Sequence, residues 1–133
     1  MTIVVDASAV VAALVDAGSD GDWAQASLRG EDLLAPHLMP VEAANILRRA
    51  VLSGGLSADV ATLAHDDLRA LRVELFPYEP LASRVWELRH NLTTYDGWYV
   101  ARAEAVGAPL VTLDARIAQA PGLRCEVHLP PPA

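Results

Sequence analysis

The chain has 133 residues, enough for one domain with one core and too few for two. Its net charge of −7 at pH 7 argues against a broad basic surface for nucleic acid. All ten positive side chains are arginines, and the absence of lysine removes phosphate-loop, Schiff-base and lysine general-base chemistry together.

Thr2 to Val5 is a short β-branched run ending at Asp6, the pattern of a buried strand. Ala7 to Val15 follows as an apolar helical stretch, broken by a loop containing Gly18, Ser19, Asp20 and Gly21. Trp23 to Leu28 reads as a short helix and Asp32 to Ala35 as a short strand. Pro40 suits the first position of a helix that runs to about Ser53 and stops at Gly54 and Gly55. Ser57 opens another helix, with Leu63, Ala64, Leu68 and Leu71 along its apolar stripe. Val73 to Pro77 is strand-like, Leu81 to Leu92 helical, and Thr94 to Ala105 a further helix stopped by Gly107. Pro109 to Leu113 is a second buried-strand signal leading into Asp114 and a short helix. Glu126 to Leu129 reads as a last strand, and residues 130–133 as an extended proline-rich tail. Strands alternating with helices predict a single α/β domain, residues 1–133, with a mostly parallel central sheet flanked by helices.

The longest apolar run, Ala7 to Val15, is too short to span a bilayer, and the N-terminus lacks the basic start of a signal peptide. Cys125 is the only cysteine, so no intramolecular disulfide forms. The expectation is a cytoplasmic protein. The hydrophobic share of 53%, slightly above that of an ordinary soluble domain, fits a face reserved for a partner or a second copy.

The informative feature is the placing of four acids. Asp6 and Asp114 each close a strand and open a helix, while Glu42 and Asp96 lie in the first turns of the Pro40 and Thr94 helices. Each position also has a structural use. Asp6 and Asp114 suit N-caps, Thr93 and Asp96 have capping-box spacing, and Glu42 favours the positive end of its helix. Together they suggest more, because the crevice at the carboxyl ends of the strands is where open α/β sheets bind ligands. Carboxylates gathered there stay ionised only around a cation, and oxygen-only ligands suit Mg²⁺ or Mn²⁺. Such a site suggests phosphoryl chemistry with water as nucleophile. Asn45 and Arg49 share the face of Glu42, where Arg49 either touches substrate phosphate or is simply solvated; Arg48 and Arg49 are candidates to line the groove.

These residues also carry a resemblance. The segments VVDASA, PVEAANILRR and TTYDGWYVARAEAVGAPLVTLDARIA occur in the order found in the PIN-domain family and cover nearly the whole chain. The resemblance implies a PIN-like parallel sheet and a metal site formed by Asp6, Glu42, Asp96 and Asp114, with Ser8 and Thr112 as supporting hydroxyls. It implies a toxin endoribonuclease of the VapC type, dependent on Mg²⁺ with Mn²⁺ substituting, which acts on RNA. VapC-type members typically form a homodimer and are inhibited by a cognate VapB-like antitoxin. Gly97 stands where the family commonly has a small residue such as alanine, a tolerated change.

The four histidines lack metal-ligand spacing, and Cys125 suits a small packed residue. Trp23, Trp86 and Trp98 are candidates for base stacking, with packing preferred for Trp86 and Trp98. A receiver domain would need a lysine, and a haloacid-dehalogenase-type phosphatase would carry an Asp at Ser8. The remaining alternative is a non-catalytic PIN-like binding module whose acids merely cap helices.

Overall fold

Ile3, Val4 and Val5 are 2%, 0% and 0% exposed, which explains why the first strand is apolar without alternation: both of its faces are covered. The computed structural model describes residues 1–132. In chain order they form β1 (Thr2–Val5), α1 (Ala7–Val15), α2 (Ser19–Leu28), β2 (Asp32–Pro36), α3 (Met39–Leu52), α4 (Ala58–Ala70) and β3 (Val73–Phe76). A 3₁₀ turn (Glu79–Leu81) then leads to α5 (Ala82–Glu87), α6 (Thr94–Val106), β4 (Leu110–Val111), α7 (Ala115–Gln119) and β5 (Val127–His128).

The five strands form one parallel sheet in the order β3-β2-β1-β4-β5, flanked by the helices. Successive strands run outward from β1 to β3 on one side, and the chain then crosses back to place β4 against the other side of β1. The strand order therefore reverses between β1 and β4, and the carboxyl ends of these neighbours define the crevice of the sheet. The register is Val4 opposite Leu110 and Val5 opposite Val111, extended by a hydrogen bond from the Asp6 N–H to the Val111 carbonyl at 3.2 Å. Helices that connect parallel strands run back against them, so their N-termini collect at this same edge.

The core joins both sides of the sheet: Val10, Met39, Leu47 and Leu68 from the early helices, Val100 and Ile117 from the later ones. Several expected boundaries shift. The loop predicted at Gly18 to Gly21 is largely helix, since α2 begins at Ser19 and includes Gly21. Tertiary packing overrides propensity here, because a Cβ on Gly21 would sit 1.8 Å from the Asp16 carbonyl oxygen. Only glycine lets α2 approach the end of α1 this closely. The helix expected over Leu81 to Leu92 ends at Glu87, where the Leu88 N–H bonds back to both Arg84 and Val85 and the chain continues in turns. In α4 the buried residues are Ala61, Ala64 and Leu68, whereas Leu63, expected on the apolar stripe, is 66% exposed. Trp98 packs edge-on against Phe76 and Tyr78, but Trp86 is 64% exposed with the Arg89 guanidinium over its ring, contrary to the packed role expected for it. Gly97 is buried, and a Cβ there would lie 3.2 Å from a methyl of Val85, so its small size sets the close packing of α5 on α6.

Residues 130–132 carry no helix or strand, and Ala133, the last residue of the expected extended tail, lies outside the described residues. Among the described residues, no helix is long and apolar enough to cross a membrane.

Candidate active site

The four acids arrive at the crevice by four routes. Asp6 follows β1, Asp114 follows β4, and Glu42 and Asp96 sit in the first turns of α3 and α6. All four line one cleft of ≈ 360 Å³, together with Ser8, Asn45, Arg49, Tyr99 and Arg116. The convergence that sequence order alone does not prove is present in the fold. Thr112 is fully buried beneath the cleft, against Asp6. Arg48, expected beside Arg49 at the groove, instead faces a separate apolar groove between α3 and α4, because neighbouring helical residues point about 100° apart.

Asp6 is the most enclosed acid, 8% exposed. One of its carboxylate oxygens accepts from the Ser8 hydroxyl at 2.6 Å and from the Ala9 N–H at 3.0 Å; the other accepts from the Thr112 hydroxyl. Ser8 in turn accepts from the Leu113 N–H at 3.1 Å, and Thr112 from the Asp114 N–H at 3.0 Å. The two hydroxyls thus tie the ends of β1 and β4 together around one carboxylate. Asp6 is at once the N-cap of α1 and a wall of the cleft, so its structural and its chemical uses are compatible.

Glu42 accepts from the Tyr99 hydroxyl at 2.8 Å, a bond that joins α3 to α6. The Tyr99 side chain is nearly buried, and burial together with the Glu42 charge pushes its phenol well above the ordinary value, so it stays a donor. Asp96 has its own N–H bonded to the Thr93 hydroxyl at 3.1 Å. Asp114 caps α7 by accepting from the Arg116 N–H at 3.0 Å, and both its oxygens meet the Arg116 guanidinium, at 3.1 and 3.0 Å.

The electrostatics separate these acids. Burial pushes Asp6 above its ordinary value, against the bonds from Ser8, Thr112 and Ala9, and the Asp96 charge adds to the rise. Burial also raises Glu42, against the Tyr99 bond, and the Asp96 and Asp6 charges add to it. Asp96 is raised by burial against its bond with Thr93, and further by the charge of Asp114, with Arg116 opposing. Asp114 alone is lowered, first by the Arg116 hydrogen bonds. The carboxylates therefore feel one another, which is the condition a bound cation relieves.

The donor set is entirely oxygen, which fits a hard divalent ion and not zinc or copper. Among the described residues, no three acidic, histidine or cysteine side chains already stand grouped to hold a metal. Three of the acids are instead engaged by partners within the protein: hydroxyls at Asp6, a phenol at Glu42 and a guanidinium at Asp114. Tyr99 and Arg116 are the polar lining residues that sequence reading missed. Tyr99 had a signal, since it lies three positions after Asp96 on the same helical face. Arg116 had a weaker one, an opposite charge two positions after Asp114.

Both the sequence and the fold match known proteins. Residues 3–123 match the family model described as PIN domain. Ribonuclease VapC1 of Mycobacterium tuberculosis is 46% identical over 127 residues, covering 95% of this chain and 96% of the relative. VapC ribonuclease Mb0985 of Mycobacterium bovis is 40% identical over 129 residues, covering 97% and 98%. Among solved structures, VapBC2 from Rickettsia felis, bound to a DNA fragment from its promoter, aligns with a TM-score of 0.65 at 15% identity, covering 96% of this chain and 98% of the other. Sequence relationship over nearly the full length and agreement in fold lead to one conclusion: the chain belongs to the PIN-domain family, in its VapC branch.

Proposed function

We propose that this chain is an endoribonuclease, the toxin of a VapBC-like toxin–antitoxin pair, which hydrolyses RNA phosphodiester bonds with Mg²⁺ or Mn²⁺. The observation that carries the reading is the single cleft at the sheet's strand-order reversal, lined by Asp6, Glu42, Asp96 and Asp114. Its relatives are VapC ribonucleases and its structural neighbour is a VapBC complex, which supports the activity and the pairing.

In this reading the four acids hold the divalent ion. The chemistry such an ion supplies when bound is charge neutralisation at the phosphate and a lowered pKa for water. The protein's own groups provide the rest. Ser8 and Thr112 fix the Asp6 carboxylate, and Tyr99 fixes that of Glu42, so each acid meets its ligand in one orientation. Asn45 and Arg49 face the cleft from α3 and contact the substrate strand. The N-termini of α1, α3 and α6 point their free N–H groups toward the edge where phosphate would lie. Water as nucleophile leaves 5′-phosphate and 3′-hydroxyl ends; recovery of a 2′,3′-cyclic phosphate would refute this chemistry.

A net charge of −7 fits recognition of an exposed single-stranded loop in a folded RNA better than tracking of a long duplex. The antitoxin in this reading brings an arginine to the acidic cleft, and the toxin works in the cytoplasm as a homodimer. A second reading, a non-catalytic binding module, draws on the fact that Asp6 and Asp114 do cap their helices.

One experiment separates the two: cleavage of total cellular RNA by purified, antitoxin-free protein with Mn²⁺ or Mg²⁺, beside Asp6→Asn and Asp96→Asn variants and an EDTA control. Metal-dependent cutting that both substitutions abolish is the expected result. A folded protein that neither cuts RNA nor binds Mn²⁺ would hand the case to the binding module.

A further inference from the structure

Arg116 is the one cation bonded to any of the four acids among the described residues. Its guanidinium spans Asp114 as a fork, with Nε at 3.1 Å from one oxygen and Nη2 at 3.0 Å from the other. In the proposed function this same carboxylate would help hold a divalent ion. The side chain is nevertheless 88% exposed, and among the described residues no other acceptor holds it. Release into solvent is therefore cheap, because an exposed ion pair is weak. Asp114 would also keep its cap bond from the Arg116 backbone N–H when the side chain leaves. Arg116 also lines, with Asn91, Thr93, Asp96 and Asp114 itself, a second cleft beside the site. Arg49 faces the same acids and forms no ion pair with them.

We propose that Arg116 is a resident counter-cation: it occupies the Asp114 carboxylate in the metal-free protein and yields it to the divalent ion. This rests on the reading that the cleft binds such an ion, and it adds that metal and arginine exclude one another at Asp114. Arg116 is then a positioning residue that acts through Asp114. Its direct consequence lies in metal affinity.

The test is Mn²⁺ binding by titration calorimetry, without RNA, on the full chain. Arg116→Ala is expected to tighten binding about two- to five-fold, the range that the loss of an exposed ion pair supports. Arg116→Lys keeps the charge but lacks the planar fork, and is expected to tighten binding by less. Arg49→Ala removes an equal charge from the same cleft without touching an ion pair, and is expected to tighten binding less than Arg116→Ala. In an Asp114→Asn background the gain from Arg116→Ala should vanish, which isolates the pair from the general field. Unchanged or weaker Mn²⁺ binding in Arg116→Ala would overturn the proposal while leaving the metal site standing. An equal gain with and without Asp114, or with Arg49→Ala, would overturn it in favour of diffuse electrostatics. Absence of Mn²⁺ binding in the unaltered protein would overturn both this proposal and the metal-dependent reading beneath it.

Discussion

Two arginine–carboxylate forks in this molecule share their chemistry and differ in their surroundings. Arg84 meets Glu104 at 2.7 and 3.2 Å with side chains only 19% and 9% exposed. It also donates to the Gly122 carbonyl at 2.8 Å, while Glu104 accepts from the Arg124 N–H at 2.7 Å. That pair fastens α5, α6 and the segment before β5 together. Arg116 and Asp114 form an equally regular fork, yet they are 88% and 25% exposed and two positions apart, so they fasten nothing distant. The geometry of an ion pair does not disclose its purpose. Burial and sequence separation do, because only a pair shielded from water and joining remote segments resists exchange.

The largest effect should come from breaking the enclosed fork. Glu104→Ala strands Arg84 and removes the acceptor of the Arg124 N–H, and is expected to cost about 2–3 kcal/mol of stability, read from urea denaturation. A loss no greater than that of Arg116→Ala would erase the contrast. Next is Asp6, a carboxylate held by hydroxyls and no cation. Thr112→Val preserves shape but removes a buried donor to it, and should cost about 2 kcal/mol while lowering RNA cleavage. Tyr99→Phe is milder for the fold and sharper for the site, with metal affinity expected to fall about tenfold as the support of Glu42 is lost.

Acid sensitivity gives a finer test. Burial tends to raise Glu104, but its bonds from Arg84 and Arg124 and their charges outweigh that, and the carboxyl lies below its ordinary value. A depressed carboxyl contributes stability at pH values above its unfolded pKa, and that contribution is lost as pH falls through the folded value. The unaltered protein should therefore lose this contribution as the pH drops below about 4, and Glu104→Gln should lack it. Subtracting the two melting profiles cancels Asp6, Glu42 and Asp96, whose burial shifts them in the opposite direction. The smallest effect belongs to Arg116→Ala, for which no change in the urea midpoint is expected.

The strands that matter to the site were legible because they are buried on both faces and each is followed, directly or within three residues, by an aspartate. Covered strands need no alternation, and an Asp after such a run has a use as a cap whether or not it has another. Glu42 and Asp96 were legible as first-turn acids, but their meeting depended on helices returning to one edge, a property of topology. What escaped was set by contacts that the local residue pattern does not show. Nothing near Gly21 in sequence shows that α2 must pass within glycine distance of Asp16. The Glu42–Tyr99 bond links residues 57 positions apart, and α5 ends early where local periodicity would continue it. Trp86 illustrates the limit in the other direction: a large aromatic ring predicts burial, and this one lies outside, beneath Arg89.

The double duty of Asp6 bears on how the protein can be handled. Its carboxylate starts α1 and gathers one hydroxyl from the first turn of that helix and one from the end of β4, so its replacement is expected to loosen the molecule as well as to silence the proposed activity. Asp96 sits in the first turn of a helix whose start is secured by the Thr93 side chain, not its own. Asp96→Asn is thus expected to be the gentler way to disarm the chain, leaving an intact scaffold that a living host can produce in quantity.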